Sequence, residues 1–232
     1  MKVDEIFGPT IQGEGALAGA VTMFVRLGGC DYRCSWCDTM HAVDESYAYS
    51  WRTMTPHEAA QAVADLTPKA TGTRGMWVTI SGGNPAIWQK ELPELVAALQ
   101  AMNYRVNIET QGSVPNEAFG IADMVTISPK GPSSGMTLDR AKLRKCVEQS
   151  LLGRAVFKFV VANEKDFGFA MLVSGWHPGI PVYVQPITVV KDGQRVFDYR
   201  WLCEKVARLA ELTHWRVIPQ LHILAWAGER GR

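Results

Sequence analysis

Three of the chain's five cysteines fall within eight positions, in the run Cys30-Asp31-Tyr32-Arg33-Cys34-Ser35-Trp36-Cys37-Asp38-Thr39. The stretch is polar, follows Gly28-Gly29 and has no hydrophobic period that would pack it as a helix. Its C-x3-C-x2-C spacing therefore asks for a chemical reason, and a short irregular loop lets three thiolates converge on one inorganic centre. Iron-sulfur clusters ordinarily take four protein thiolates, so three leave one iron open to a small molecule. Two other readings stand beside this one. Cys30, Cys34 and Cys37 also lie at i, i+4 and i+7, one face of a helix, and buried unliganded cysteine is common. His41, moreover, would complete a Cys3His set able to close a tetrahedral zinc site.

Further polar groups are placed where chemistry could use them. Gln12 and Glu14 alternate with Gly13 and Gly15, glycines that let backbone approach a ligand closely. Arg26, near the end of an apolar run, is either a surface ion pair or a clamp for a carboxylate, which a guanidinium fits well. Ser81-Gly82-Gly83-Asn84-Pro85 breaks an apolar stretch abruptly, as a plain turn would or as a backbone approach to a ligand would. Glu109 in Glu109-Thr-Gln-Gly112 and Lys130 after Ser128-Pro129 are either solvated strand-end charges or ligand contacts.

The elements that must position these groups follow from periodicity. β-branched and apolar runs predict strands at 21–27, 76–80, 105–109, 124–127, 155–161, 181–184 and 215–218. Between them, helical spacing predicts helices at 56–66, 92–99, 116–120, 138–149, 164–173 and 198–212, the first opened by the capping-box pattern Thr55-Pro56-His57-Glu58. Residues 8–15 are too glycine-rich to suggest regular structure, and 68–75 read as a loop. Strands alternating with helices imply a parallel sheet with right-handed crossovers. Every polar motif then falls at the carboxyl end of its strand, the edge where such folds bind ligands. That edge gathers the cysteine loop, Gly83, Glu109, Ser128, Lys130 and Gln185. A zinc knuckle needs no such gathering, and the cluster reading gains from it.

Composition bounds the class. A chain of 232 residues, 47% hydrophobic and 20% charged, suits one α/β domain over 1–232. A formal charge of +1 without a block of like charges offers no field for nucleic acid or an anionic membrane, so small molecules are the expected partners. The N-terminus has no signal-peptide pattern and no stretch approaches a membrane span, which makes the cytoplasm the expected location. Clustered cysteines point to metal chemistry in a reducing compartment, with Cys146 and Cys203 as bystanders.

The cysteine spacing, with Trp36 just before the third cysteine, resembles the radical S-adenosylmethionine (SAM) enzymes. The ordered set Thr10-Ile-Gln-Gly-Glu-Gly15, Cys37-Asp-Thr39, Ser81-Gly-Gly-Asn-Pro85, Glu109-Thr-Gln-Gly112, Ser128-Pro-Lys130, Gln185-Pro186 and Pro219-Gln-Leu-His222 narrows the likeness to the 7-carboxy-7-deazaguanine synthase family. The resemblance implies a partial (β/α)6 barrel, a homodimer, and ring contraction of 6-carboxy-5,6,7,8-tetrahydropterin with loss of ammonia on the way to queuosine. It implies a 4Fe-4S cluster on Cys30, Cys34 and Cys37, with SAM used catalytically and its radical taking a substrate hydrogen. Ile11, Gln12, Gly13, Arg26 and Ser81 would meet the pterin. Trp36, Cys37, Asp38, Gly83, Glu109, Ser128, Pro129, Lys130 and Gln185 would meet SAM, and Thr39 would hold Mg2+. An electron donor such as flavodoxin or ferredoxin would be needed. Some members of the family place their C-terminal residue against substrate, but residues 228–232 extend here with two arginines, and that role is not assigned to Arg232. The nearest enzyme rival is a glycyl-radical activating enzyme, which would need a groove for a protein partner; a zinc-bound interaction module is the rival from another class.

Overall fold

A computed structural model describes residues 1–69, 75–150, 154–191, 194–196, 198–209, 212, 214–227 and 229–231. The strands are β1 (Lys2–Ile11), β2 (Val21–Leu27), β3 (Arg52–Thr53), β4 (Trp77–Gly82), β5 (Arg105–Thr110), β6 (Met124–Ile127), β7 (Ala155–Val161), β8 (Val182–Pro186), β9 (Val189–Lys191), β10 (Gln194–Val196) and β11 (Trp215–Val217). The helices are α1 (Met40–Val43), α2 (Pro56–Leu66), α3 (Glu91–Ala101), α4 (Ala118–Ile121), α5 (Arg140–Gln149), α6 (Glu164–Gly175), α7 (Tyr199–Arg208) and α8 (Leu221–Trp226). Nine strands form one open sheet in the order β11-β8-β7-β6-β5-β4-β2-β1-β3, and β9 pairs with β10 apart from it. From β2 to β11 every neighbouring pair is parallel. This mixed α/β architecture is consistent with a partial barrel. Among the described residues no helix is long and apolar enough to cross a membrane.

The parallel register divides the sheet into two faces. Arg26 stands beside Ser81, Thr79 beside Asn107, Glu109 beside Thr126, Thr126 beside Val156 and Val160 beside Gln185. With successive side chains pointing to opposite faces, Thr22, Phe24 and Arg26 share one face with Thr79 and Ser81, Asn107 and Glu109, Thr126 and Ser128, Lys158, and Gln185. The other face carries Met23, Val25, Leu27, Val78, Ile80, Val106, Ile108, Val125, Ile127, Phe157, Phe159, Val182 and Val184, all in one buried apolar cluster. Ala59, Ala60 and Val63 of α2, Leu92, Leu95, Val96 and Leu99 of α3, Leu143 of α5 and Phe167, Ala170 and Val173 of α6 complete that cluster. Burying apolar area there holds the helices on the sheet, at about 25 cal/mol per Å², and leaves the polar face lining the interior.

Two expectations change. Residues 8–15 are not irregular throughout, because β1 runs to Ile11 antiparallel to β2, with register shifts between Val3 and Glu5 and between Phe7 and Thr10. A bulge displaces Gly8-Pro9 from the ladder and lets the pairing resume at Thr10; the strand at 21–27 is consequently the second. The last of the expected helices, α7, ends at Arg208 rather than Leu212, and α8 follows it unexpected, with 210 and 211 outside the described residues. So are 70–74 of the expected loop, and 228 and 232 of the tail.

Candidate functional site

The last polar-face residues of successive strands converge on a cavity of about 430 Å³. Ile11, Gln12, Gly13, Arg26, Cys30, Cys34, Trp36, Cys37, Asp38, Thr39, Ser81, Gly83, Glu109, Ser128, Lys130 and Gln185 all line it. Of the residues expected at the site only Pro129 stands back from it, buried between two that do line it.

The cysteine loop is pinned from two sides. Ser35 N donates to Ser134 O (2.9 Å), Trp36 Nε1 to Ser133 Oγ (3.0 Å) and the Tyr32 hydroxyl to Thr137 O (3.0 Å), all in the segment after Ser128-Pro129-Lys130. On the other side Asn84 and Gln111 each donate to Asp31 Oδ1 at 2.8 Å. Asn84 is itself fixed by Thr110, whose hydroxyl donates to Asn84 Oδ1 at 2.9 Å. The Gly-Gly motif explains its own composition: a Cβ on Gly83 would lie 2.0 Å from Gly29 O. Only glycine lets the two motifs pass this closely, so the close approach expected toward a ligand is made first between two stretches of backbone.

Zinc does not fit. Tetrahedral zinc about 2.3 Å from each sulfur would bring its ligand atoms within roughly 4 Å of one another. Among the described residues only Asp4, Glu5 and His41 bring three such ligand atoms within 4.8 Å, and the cysteine sulfurs do not. His41 Nδ1 instead meets Asp4 Oδ2 at 2.7 Å. The three cysteines are free thiols in one loop, a set compatible with ligating three irons of one cluster. Burial pushes the Cys34 thiol up to about 11 and raises Cys30 as well, so a metal centre bound there would have to displace protons. Thr39 precedes α1 without capping it through its side chain, and its hydroxyl lies 3.7 Å from Cys37 Sγ, a placement open to a hard cation. Gln185 Oε1 is buried without a protein partner among the described residues. Leaving such an acceptor unsatisfied costs about 1–3 kcal/mol, and a donor on a bound molecule would remove that cost.

At the floor, Glu109 accepts from Gln12 Nε2 (3.1 Å) and from Ser81 Oγ (3.1 Å), two residues expected to meet substrate. Arg26 Nε donates to Glu5 at 2.7 Å. Lys130 Nζ donates to Ser128 Oγ at 3.1 Å and lies 5.8 Å from the Trp36 ring centre; burial, then the Lys158 charge, lowers its pKa.

Sequence reasoning missed Lys158, Gln111, Gln220 as a floor residue, and Arg230. Lys158 pairs with Glu14, and Gln220 Nε2 donates to Glu14 Oε1 at 2.6 Å. Burial opposes both charges, yet Lys158 and His222 hold Glu14 well below the usual carboxylate range, and Glu109 and Glu14 hold Lys158 above the usual ammonium range. The available signal for Lys158 was a lone cation inside the apolar run Ala155–Val161. Arg230 reaches back to Asp4 and Glu5 at 3.0 Å.

No family model matches the chain. It is 42% identical to the 7-carboxy-7-deazaguanine synthase of Bacillus subtilis (strain 168), over 100% of this chain and 98% of that protein. Proteins of the same name are 38% identical in Bacillus cereus (100% and 98% covered) and 32% in Pyrobaculum aerophilum (100% and 97% covered). The fold is similar to that of QueE from Escherichia coli, with a TM-score of 0.65 over 93% of this chain and 92% of that one, at 24% identity.

Proposed function

Because the chain belongs to the 7-carboxy-7-deazaguanine synthase family, we propose that its cavity converts 6-carboxy-5,6,7,8-tetrahydropterin to 7-carboxy-7-deazaguanine with loss of ammonia, as a radical SAM lyase of the queuosine precursor pathway. The observation that carries this reading is the convergence of the cysteine loop and the strand-end motifs at Gly83, Glu109, Ser128–Lys130 and Gln185 on one cavity of about 430 Å³, in a chain alike to its relatives from end to end.

Cys30, Cys34 and Cys37 hold a 4Fe-4S cluster, and Thr39 holds Mg2+. When bound, the cluster and SAM supply one-electron cleavage and a radical able to take a hydrogen from substrate. The chain's own residues bind, orient and enclose. Glu5 fixes the Nε edge of Arg26, and the two amino groups at its tip, without partners among the described residues, receive the substrate carboxylate bidentately. Ile11, Gln12 and Gly13 meet the pterin ring, and Ser81 its polar edge. Glu109 positions Gln12 and Ser81 by accepting from both, and the Glu14–Lys158 pair closes the floor with its charges compensated. Trp36, Cys37, Asp38, Gly83, Glu109, Ser128, Pro129 and Lys130 cradle SAM, and the orphaned Gln185 Oε1 accepts a hydrogen bond from it. The family resemblance further supports a small carrier such as flavodoxin or ferredoxin as electron donor, a homodimer and a cytoplasmic location.

The test is an anaerobic reaction of reconstituted protein with SAM, Mg2+, reductant and the carboxytetrahydropterin, followed by mass spectrometry. The expected result is the ring-contracted acid, absent when Cys34→Ala replaces the native chain. A brown protein that cleaves SAM without forming product would favour the activating-enzyme reading, and a colourless protein holding zinc would end the radical one.

A further inference from the structure

The three cysteines are not equivalent. Cys30 Sγ accepts from Tyr32 N at 3.4 Å and from Gln111 Nε2 at 3.6 Å, lengths suited to N–H···S contacts because sulfur is the larger acceptor. Among the described residues neither Cys34 nor Cys37 has an N–H donor on its sulfur; Cys37 has only the Thr39 hydroxyl, at 3.7 Å. Gln111 is 4% exposed and has so far only its hold on the cysteine loop. Its Nε2 also donates to Asp31 Oδ1 at 2.8 Å. An amide nitrogen carries two hydrogens, so both contacts are made at once, one on the ligand sulfur and one on the carboxylate next along the chain. Asn84, fully buried, gives Asp31 Oδ1 a second donor and stops the carboxylate from turning away.

We infer that Gln111 is a positioning residue for the cluster: its amide holds the Cys30 sulfur and the Asp31 carboxylate together, and so raises the potential at which the cluster takes up its electron. The inference rests on the reading of Cys30, Cys34 and Cys37 as a 4Fe-4S site. Its chemistry is that of sulfur basicity and local charge. A donor on a ligand sulfur stabilises the extra negative charge of the reduced cluster, and an uncompensated carboxylate beside it opposes that charge. Gln111 supplies the first effect and blunts the second, and both raise the potential.

The test compares reconstituted native chain with Gln111→Met, which keeps the length and removes the donor, by redox titration followed through the electron paramagnetic resonance of the reduced cluster. Iron and sulfide content stay unchanged, and the equilibrium constant for reduction falls roughly tenfold, a shift of about 59 mV to more negative potential for a one-electron couple. Gln111→Glu, which keeps the size and places a charge there, shifts it further in the same direction. The pair is repeated on Asp31→Asn: the Gln111→Met shift becomes smaller and persists, because the sulfur contact remains to be lost. An unchanged potential with full cluster in both Gln111 variants would overturn the inference, as would a shift that vanishes on Asp31→Asn. Failure of the 4Fe-4S reading is separately visible as native chain that takes up no cluster.

Discussion

Arg26 combines an anchored edge with an open one, and the proposal that it captures the substrate carboxylate rests on that arrangement. Its Nε is held by Glu5 at 2.7 Å and its side chain is only 16% exposed, so little rotamer freedom remains to be lost on binding. A charge-assisted hydrogen bond contributes about 1.5–3 kcal/mol. Arg26→Ala should therefore raise KM for the pterin roughly 10- to 100-fold while SAM affinity, measured by equilibrium binding, stays within twofold. Equal loss of both would remove the clamp. Lys158 belongs to a different balance. It pairs with Glu14 where the two side chains are 8% and 14% exposed, and removing one partner of a buried pair costs about 3–5 kcal/mol. Lys158→Met should lower the unfolding free energy read from urea titration by that amount, and the double variant with Glu14→Gln should recover part of it. Arg26 was legible in sequence because it closes a strand next to a recognisable loop. Lys158 was not, because inside Ala155–Val161 an inward cation looks like an interruption in a buried run. Only the register with β6 and β8 shows which way it points.

At the scale of elements, the helix-strand alternation was readable because each amphipathic period is bounded by its own chemistry. The Thr55–Glu58 capping box forms as expected, with Glu58 N donating to Thr55 Oγ1 at 3.2 Å and Thr55 N to Glu58 Oε2 at 2.7 Å. Thr55→Ala should cost α2 about 1 kcal/mol, read as a lower melting midpoint with activity unchanged. Contacts between elements distant in sequence were not readable. The seat of the cysteine loop on Ser133, Ser134 and Thr137 joins segments about a hundred positions apart, and no local pattern announces it. The bulged β1 was hidden for a local reason, since Gly8-Pro9 opposes strand propensity and pairing with β2 overrides it. Gly83 was legible as a glycine that must be one, but its reason lies in Gly29. Gly83→Ala would put a methyl against a carbonyl that cannot yield, and overpacking of this kind costs about 1–3 kcal/mol. The expected outcome is a loss near the upper end in urea unfolding, together with lower cluster content, because the same step carries the Asn84 N donation to Gly29 O at 2.9 Å.

Over the whole molecule, the two ends of the chain meet at the rim of the cavity. Arg230 spans Asp4 and Glu5 of β1 at the rim, and Gln220 reaches Glu14 at the floor, so electrostatic contacts join the first and last segments of the chain at both levels of the cavity. Burial pushes the Glu5 carboxyl up, but Arg26 and Arg230 together outweigh it and leave it below its ordinary value of 4.5. Glu14 is held lower still by Lys158 and His222. The sign follows from linkage: a carboxylate depressed in the folded state adds stability that is fully present above its unfolded value and is lost as pH falls through the folded one. The part of the stability that these two carboxylates contribute should therefore be level from pH 7 toward pH 5 and decline below about 4.5, measured as the difference in urea midpoint between native chain and variant along that series. Arg230→Ala removes one of the two cations that depress Glu5, leaving Glu14 untouched. The variant should be somewhat less stable at pH 7 and should lose less on acidification, so the two curves converge as pH falls. Because the Arg230 side chain is 51% exposed, solvent screens it and the gap at pH 7 should narrow in high salt. Curves that stay parallel across the series would mean that the junction of the two termini is held by packing of α8 against Gly13, with no contribution from the charges.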